Sequence, residues 1–168
     1  MARFFVFVGG LIVGLMVGAG GMLVAFPFLF PPPVVAEGAP TASSGEGGPQ
    51  LVGTFGFDEM APGRDAIHWA NGTGGIYRDG EMTLLRFDDD FATGPGPAYW
   101  VYLNTTPVGD EDDFLADAGR VKVMPLKSFT GGQNYVLPVD VRVEDFHTVT
   151  IWCEAFDAYI GSAPLPSS

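Results

Sequence analysis

Cys153 is the single cysteine in this sequence of 168 residues and its first candidate for chemistry. Because it has no second cysteine to pair with, no disulfide can form within one chain. Its side chain could be an inert buried thiol, a redox-active thiol, a ligand to a metal or haem iron, or half of a bridge between two chains. One cysteine does not suffice for a structural zinc or iron–sulfur site, so no metal site is predicted, and the sequence lacks the Cys-x-x-Cys-His motif of covalently attached haem.

The two histidines are the next candidates, because imidazole could serve as a second ligand or as a proton partner of the thiol. His147 lies six residues before Cys153, which is about 20 Å along an extended strand and too far for shared ligation. His68 is distant in sequence, so only the fold could bring it close. His68 is therefore the second predicted site residue.

Acidic residues dominate the chain after its N-terminal segment. All 20 lie at or after Glu37, and with seven basic residues they give this part a net charge of −13. Binding nucleic acid depends on basic side chains that displace counterions from phosphates, so nucleic acid is not expected as a partner. The runs Asp88 to Asp90 and Asp110 to Asp113 could hold a divalent cation, but neither has the spacing of a calcium loop. Solubility is the simpler explanation of the charge.

The segment around Cys153 alternates in the manner of a β-strand. Val149, Ile151 and Cys153 would share a small aliphatic face, while Trp152 and Glu154 would lie on the other face. An aliphatic face disfavours a thiolate by desolvation unless a cation lies opposite. Reactivity of the cysteine would therefore require a partner from elsewhere in the fold.

Short runs of strand-forming residues, separated by Gly, Pro, Asn and Asp, fill the chain after residue 50. They predict an all-β domain at residues 51–168, built as an antiparallel β-sandwich or a barrel-like sheet. Both faces of Tyr99 to Leu103 are apolar or aromatic, as in a central strand covered on two sides. Gly94 to Pro97 is predicted to be a turn, and Glu111 to Ala118 a short helix. The predicted strands are Leu51 to Phe57, Ala66 to Trp69, Gly75 to Arg78, Met82 to Phe87, Ala98 to Leu103, Gly119 to Pro125, Asn134 to Leu137 and Thr148 to Phe156, with Ala158 to Ile160 extending the last.

Residues 1–30 are predicted to anchor the chain in a membrane. The 23 residues from Phe4 to Phe26 carry no charge, and as a helix they would span about 34 Å, enough to cross a bilayer core. The alternative is a secretory signal sequence with Val34-Val35-Ala36 as its cleavage site, although such sequences have a shorter apolar region. Arg3 precedes the span and the next basic residue is Arg64, so the folded domain is predicted to lie outside the cytoplasm.

Two further expectations concern the anchor and the chain that follows it. Gly10, Gly14 and Gly18 recur every four residues and would line one helix face, where a second copy could approach closely to form a homodimer. Glycine is also simply common in membrane spans. Residues 31–50 are a linker rich in Pro, Gly and Ser, stiff at its start and flexible later, which is expected to hold the domain away from the membrane.

Two motifs of the folded part are specific: Gln-Asn-Tyr-x-Leu-Pro at 133–138 and Ile-Trp-Cys-x-x-Phe at 151–156. Together with Gly-Pro-Gly-Pro-Ala-Tyr-Trp at 94–100, they resemble the DM13 domain. The resemblance implies a small β-rich domain outside the cytoplasm, similar in proposed role to the DOMON domains that it accompanies in animals. The cysteine characteristic of that family matches Cys153, which the resemblance implies to be a bare thiol or a ligand of a prosthetic group such as haem. The family often has Gly-Pro-Asp where this chain has Gly96-Pro97-Ala98.

The sequence thus predicts a membrane-tethered, extracytoplasmic module for electron transfer or redox modification through Cys153. Haem is the candidate cofactor, with Cys153 and His68 as the residues to hold it, and an unidentified redox or cell-envelope protein is the expected partner. A redox or binding module is favoured over an enzyme. The alternative is a non-catalytic structural or ligand-binding domain of the cell envelope, in which Cys153 is part of the core.

Overall fold

The computed structural model describes residues 1–41, 48–57 and 64–166. Within these residues one long helix precedes a domain of strands that carries one short α-helix and a 3-10 turn at Val143–Asp145. The α-helices are α1 (Ala2–Leu29) and α2 (Glu111–Ala116). The strands are β1 (Gln50–Phe57), β2 (Ala70–Asp79), β3 (Met82–Phe87), β4 (Ala92–Thr93), β5 (Tyr99–Asn104), β6 (Val121–Pro125), β7 (Gln133–Val136), β8 (Thr148–Cys153) and β9 (Ala158–Pro164).

The strands form two antiparallel sheets. The first has the order β1-β2-β3-β7, with the short β4 paired to β2, and the second has the order β6-β5-β8-β9. Among the described residues the sheets remain separate, so the fold is sandwich-like and not a closed barrel. The predicted all-β antiparallel architecture is confirmed, and the sandwich is the correct alternative.

An aromatic cluster fills the space between the two sheets. Phe87 has no exposed surface and its ring stacks on Phe91 at a centroid distance of 4.6 Å. Phe55, Phe57 and Tyr135 meet the same ring edge-on, at centroid distances of 5.4 to 6.2 Å. Rings that pack in these geometries bury large apolar areas, so this cluster supplies the main core of the domain.

A second, smaller cluster covers the outer face of the second sheet. The ring of Trp152 on β8 stacks on Phe114 of α2 at 4.0 Å, and Tyr102 on β5 meets Phe114 edge-on. Asp110 caps α2, because its side chain accepts a hydrogen bond from the backbone N–H of Asp113. Strands β5 and β8 are thus covered on both faces, which confirms the prediction made for Tyr99 to Leu103.

Two predicted strands are wrong in extent or position. Ala66 to Trp69 is a bend, because the Asp65 carboxylate accepts the backbone N–H groups of Ile67 and His68 and so turns the chain. Strand β2 begins only at Ala70. Strand β8 ends at Cys153, since the chain turns over residues 154–157 and returns as β9 in an antiparallel pair.

The N-terminal helix and the linker agree only partly with expectation. Of the described helices, α1 is long and apolar enough to cross a membrane. Residues 31–41 have no regular secondary structure, but they are not free of the domain. The backbone N–H of Glu37 donates to Gly132 O at 2.9 Å, and its carboxylate accepts the Lys127 ammonium at 2.8 and 3.0 Å. The linker is therefore attached to the domain at Glu37, which differs from the free tether that the sequence predicts.

Candidate functional site

Cys153 is the last residue of β8 and lies inside the sandwich. It pairs across the strands with Tyr99 of β5 and is only 2% exposed. It shares the core-facing side of β8 with Val149 and Ile151, while Trp152 faces the opposite side. The alternation predicted from the sequence is confirmed, and the thiol is in the dry, aliphatic part of the domain.

A short backbone segment, Gly96 to Ala98, covers the thiol. The Sγ of Cys153 donates a hydrogen bond to Pro97 O at 3.2 Å, and the backbone N–H of Glu154 donates to Ala98 O at 3.1 Å. Ala98 has a φ of 52°, in the left-handed region that costs a residue with a Cβ atom on the order of 1 kcal/mol. The hydrogen bonds accepted by Pro97 O and Ala98 O hold the segment in this strained conformation.

Burial raises the pKa of the Cys153 thiol above its ordinary value. Backbone N–H groups at Phe156 and Ala155 oppose this effect, and the carboxylate of Asp157 adds to it. Because a thiolate is the reactive form of cysteine, the thiol in this environment is protonated and protected. Its chemistry depends on a change in its surroundings.

Tyr99 is the immediate neighbour of Cys153 and is itself 5% exposed. Burial raises the pKa of its phenol, and the Asp65 carboxylate, together with Cys153 when its thiol is ionised, acts in the same direction. Its hydroxyl lies against Gly96, where an added Cβ atom would come within 2.2 Å of it. The phenol therefore packs directly under the covering segment.

His68 lies in an exposed bend and forms a local pair with Asp65. Its Nδ1 is 2.7 Å from Asp65 Oδ2, and the two side chains are 32% and 53% exposed. Hydrogen bonds from the backbone and ring of His68 lower the pKa of Asp65 to about 2. The pair is held by residues close in sequence and is open to solvent.

The two predicted site residues, Cys153 and His68, approach the same turn but do not join in one site. The bend that carries His68 packs on Gly94, where a Cβ atom would clash with Ile67 O at 2.0 Å. Cys153 bonds to Pro97 at the other end of this turn. Among the hydrogen bonds of the described residues, the ring of His68 is joined to Asp65 and not to the thiol.

A family model described as Electron transfer DM13 matches residues 63–165. The chain belongs to the DM13 family. No curated protein and no solved structure matches the chain. The predicted resemblance is confirmed over residues 63–165, and with it a general role in electron transfer.

The residues around the cysteine of this DM13 domain do not fit haem. A haem ligated by Cys153 would need open space at the sulfur, which is instead covered by the backbone of Pro97 and bonded to its carbonyl oxygen. The ligand would also have to be a thiolate, and burial disfavours that form. The ring of His68 is hydrogen-bonded to Asp65 through Nδ1, and among the described residues no contact joins the ring to the sulfur. The haem assignment to Cys153 and His68 thus lacks support in the geometry.

The acidic runs have structural partners. Asp88 and Asp89 accept hydrogen bonds from the guanidinium of Arg86 at 2.9 and 2.7 Å, and Asp90 accepts from the backbone N–H of Thr73 at 3.0 Å. In the second run, Asp110 is the cap of α2. Over the described ranges no three His, Cys, Asp or Glu side chains are grouped to hold a metal ion.

Arg86 is the centre of a second polar site on the first sheet, which we call the Glu37 clamp. The clamp consists of Glu37, Arg86, Lys127 and Asn134. Arg86 is 2% exposed, and its Nη1 donates to Glu37 O at 2.7 Å and to Asn134 Oδ1 at 3.1 Å. The backbone N–H of Asn134 donates to the Glu37 carboxylate at 2.6 Å. Three residues of the domain thus hold Glu37, and with it the linker, against the domain.

Sequence reasoning missed the covering segment, Tyr99 and Glu37. The turn at Gly94 to Pro97 was predicted, but nothing in its composition shows that Pro97 O accepts the thiol of Cys153. The signal for Tyr99 was present, since a tyrosine at the start of the central strand lies opposite the end of β8 in an antiparallel pair. Glu37 is the first acidic residue of the chain, and no other sequence feature singles it out.

Proposed function

We propose that this DM13 domain is a membrane-tethered, extracytoplasmic electron-transfer module in which Cys153 is the group that changes redox state. The family supplies the general role. The observation that carries the assignment to Cys153 is the strained segment over its sulfur: Ala98 has a φ of 52° directly after the carbonyl that the thiol bonds. Backbone strain of this kind is concentrated at functional sites and persists only where the surroundings enforce it.

The proposed chemistry requires the covering segment to move. Removing one electron from the protonated thiol breaks its S–H bond, leaves a thiyl radical and releases the proton, and the Pro97 carbonyl oxygen that the thiol contacts is too weak a base to keep that proton. Displacement of Gly96 to Ala98 would admit water as the proton acceptor and relieve the strain at Ala98. An external redox protein is the electron acceptor in this proposal, as an unidentified partner of the cell envelope.

The tethering follows from α1. Its 28 residues are apolar or glycine except for Arg3 in the first turn, and its buried residue is Pro27. The positive-inside tendency then places the sandwich outside the cytoplasm. A homodimer through Gly10, Gly14 and Gly18 is a further part of the proposal, since an added Cβ atom at each meets nothing within 4 Å in the single chain.

Protein-film voltammetry on the full-length chain in detergent tests the role of Cys153. We expect a redox couple in the wild type and its loss in Cys153→Ala, with matched circular dichroism to show that the variant is folded. A chain without any couple, or a couple that persists in the variant, would overturn the assignment to Cys153.

The alternative is a non-catalytic structural or ligand-binding domain of the cell envelope, and burial of the thiol with its raised pKa favours it. Under this alternative Cys153 contributes only packing. Alkylation of the full-length chain discriminates the two: a thiol that reacts only after global unfolding supports a packing role. A thiol that reacts at a rate independent of global stability indicates local opening of the segment over it.

A further inference from the structure

An apolar groove lies between the end of α1 and the domain, with a cavity volume of about 820 Å³. The domain contributes six residues that share an apolar or aromatic surface: Pro97, Tyr99, Trp100, Pro125, Leu126 and Phe129. The helix contributes Met22, Leu23 and Phe26. A groove with walls of this kind is mainly apolar and offers few polar groups to select a water-soluble ligand, so its occupant is apolar.

The position of the groove relative to the bilayer follows from the length of α1. A helix of 28 residues is about 42 Å long, whereas the hydrocarbon core of a bilayer is about 30 Å thick. With Arg3 at the inner surface, about 20 residues cover the core and the span ends near Met22 or Leu23. Phe26 and Pro27 then lie among the lipid headgroups, and the domain face against them lies there too.

The Glu37 clamp limits how far the domain can move from this position. Six residues lie between Phe30, the last groove residue before the linker, and Glu37, so seven Cα–Cα steps join the two. A fully extended chain of that length spans at most about 25 Å. Because Glu37 is bonded to Lys127 and Arg86, the sandwich must stay within that distance of the membrane surface.

A lysine lies beside the tryptophan of the groove. The Lys122 ammonium is 3.7 Å from the centroid of the Trp100 ring and 2.7 Å from the Glu154 carboxylate. The other lysine of the chain, Lys127, follows Leu126 of the groove, but its ammonium is bonded to Glu37 in the Glu37 clamp. A tryptophan beside a basic residue is typical of the membrane interface, where the ring enters the apolar layer and the cation lies at the headgroups.

We propose that this groove is a membrane-seating surface, which takes acyl chains of phospholipids from the outer leaflet between α1 and the domain. The proposal rests on the anchoring by α1 given above and adds a contact of the domain itself. Since Pro97 lines the groove and accepts the Cys153 thiol, the covering segment of the redox site faces lipid. The bilayer is then part of what controls access to the sulfur.

Tryptophan quenching in vesicles tests the proposal. The full-length chain is reconstituted into phosphatidylcholine vesicles whose acyl chains carry bromine at positions near the headgroup. We expect the tryptophan fluorescence to be lower than in unbrominated vesicles. The decrease should equal the part of the emission that comes from Trp100. The control is Trp100→Phe, in which Trp152, buried under α2, and Trp69, outside the groove lining, remain and the quenching should be lost.

The outcomes separate the seating from the anchoring. Resistance to carbonate extraction shows that α1 holds the chain in the bilayer, whatever the tryptophans report. A chain that resists extraction but shows no quenching, or shows equal quenching in Trp100→Phe, overturns the membrane-seating surface and leaves the anchor intact. A chain that carbonate releases overturns the anchoring itself.

Discussion

Cys153 and Arg86 are both buried polar groups of the same sandwich, but they differ in the number of their hydrogen-bond partners. Arg86 is 2% exposed, and Asp88, Asp89 and two further acceptors surround its guanidinium. Cys153 is equally buried and meets one carbonyl oxygen. A guanidinium is charged whatever its surroundings and needs several acceptors when it is buried, whereas a protonated thiol can be buried with one weak hydrogen bond. In the first sheet the polar contacts of Arg86 hold the linker, whereas in the second sheet the thiol of Cys153 is neutral.

Removing Arg86 should have the largest effect. Arg86→Met leaves Glu37 O and Asn134 Oδ1 without their donor and should lower the free energy of unfolding by about 3 kcal/mol. The matched control is Arg78→Met, which breaks the more exposed pair with Glu144 and should cost less than about 1 kcal/mol. Urea denaturation measures both, and equal losses would show that burial of Arg86 adds nothing.

Removing the thiol should have a smaller effect. Cys153→Ala deletes one sulfur atom and one weak hydrogen bond from a packed site, and we expect a loss of about 1 kcal/mol in the free energy of unfolding. The slope of the urea transition should not change, because the same surface is exposed on unfolding. A loss as large as that of Arg86→Met would mean that the two buried groups contribute alike and would break the comparison.

The smallest effect concerns acid. Although burial alone would raise it, the pKa of Glu37 is lowered by the hydrogen bonds from Lys127 and Asn134. A carboxylate with a lowered pKa stabilises the folded state above its ordinary value of 4.5, and this contribution is lost as the pH falls through the lowered pKa. The clamp should therefore loosen in acid while the environment of Cys153 stays unchanged.

Amide exchange of residues 34–38, corrected for the intrinsic rate, measures the loosening. Protection should fall below pH 4.5 in the wild type. In Glu37→Gln the protection should be low at both neutral and acid pH, because the glutamine side chain carries no charge at either pH. Protection that is constant with pH in the wild type would show that the carboxylate does not hold the linker.

Sequence periodicity was enough for the architecture and for the face that Cys153 occupies, because both depend on the alternation of neighbouring residues. Val149, Ile151 and Cys153 could be assigned to one side of β8 without knowing what they contact. The bend before β2 was missed because Asp65 competes for backbone N–H groups by a local contact that a strand pattern does not display. The alternation of apolar and polar residues does not reveal hydrogen bonds between a side chain and the nearby backbone.

The candidate site was less predictable, since it is made of contacts between distant segments. Cys153 and Pro97 are 56 residues apart, and Glu37 and Asn134 are 97 apart. Neither pair has a sequence signature, because any residue offers a carbonyl oxygen or a backbone N–H. The pairing of His68 with Cys153 stays a prediction, since the contact that the structure gives the imidazole is a local one with Asp65, three residues before it.

The position of Glu37 also bears on how the chain would mature. The small residues Val34, Val35 and Ala36 stand immediately before it, so a peptidase cutting after Ala36 would make Glu37 the first residue. Its carboxylate would keep Lys127 and its new amino group could still donate to Gly132 O. A released domain would then begin with an end that is already sealed into the sheet, and shedding from the membrane would leave no loose terminus.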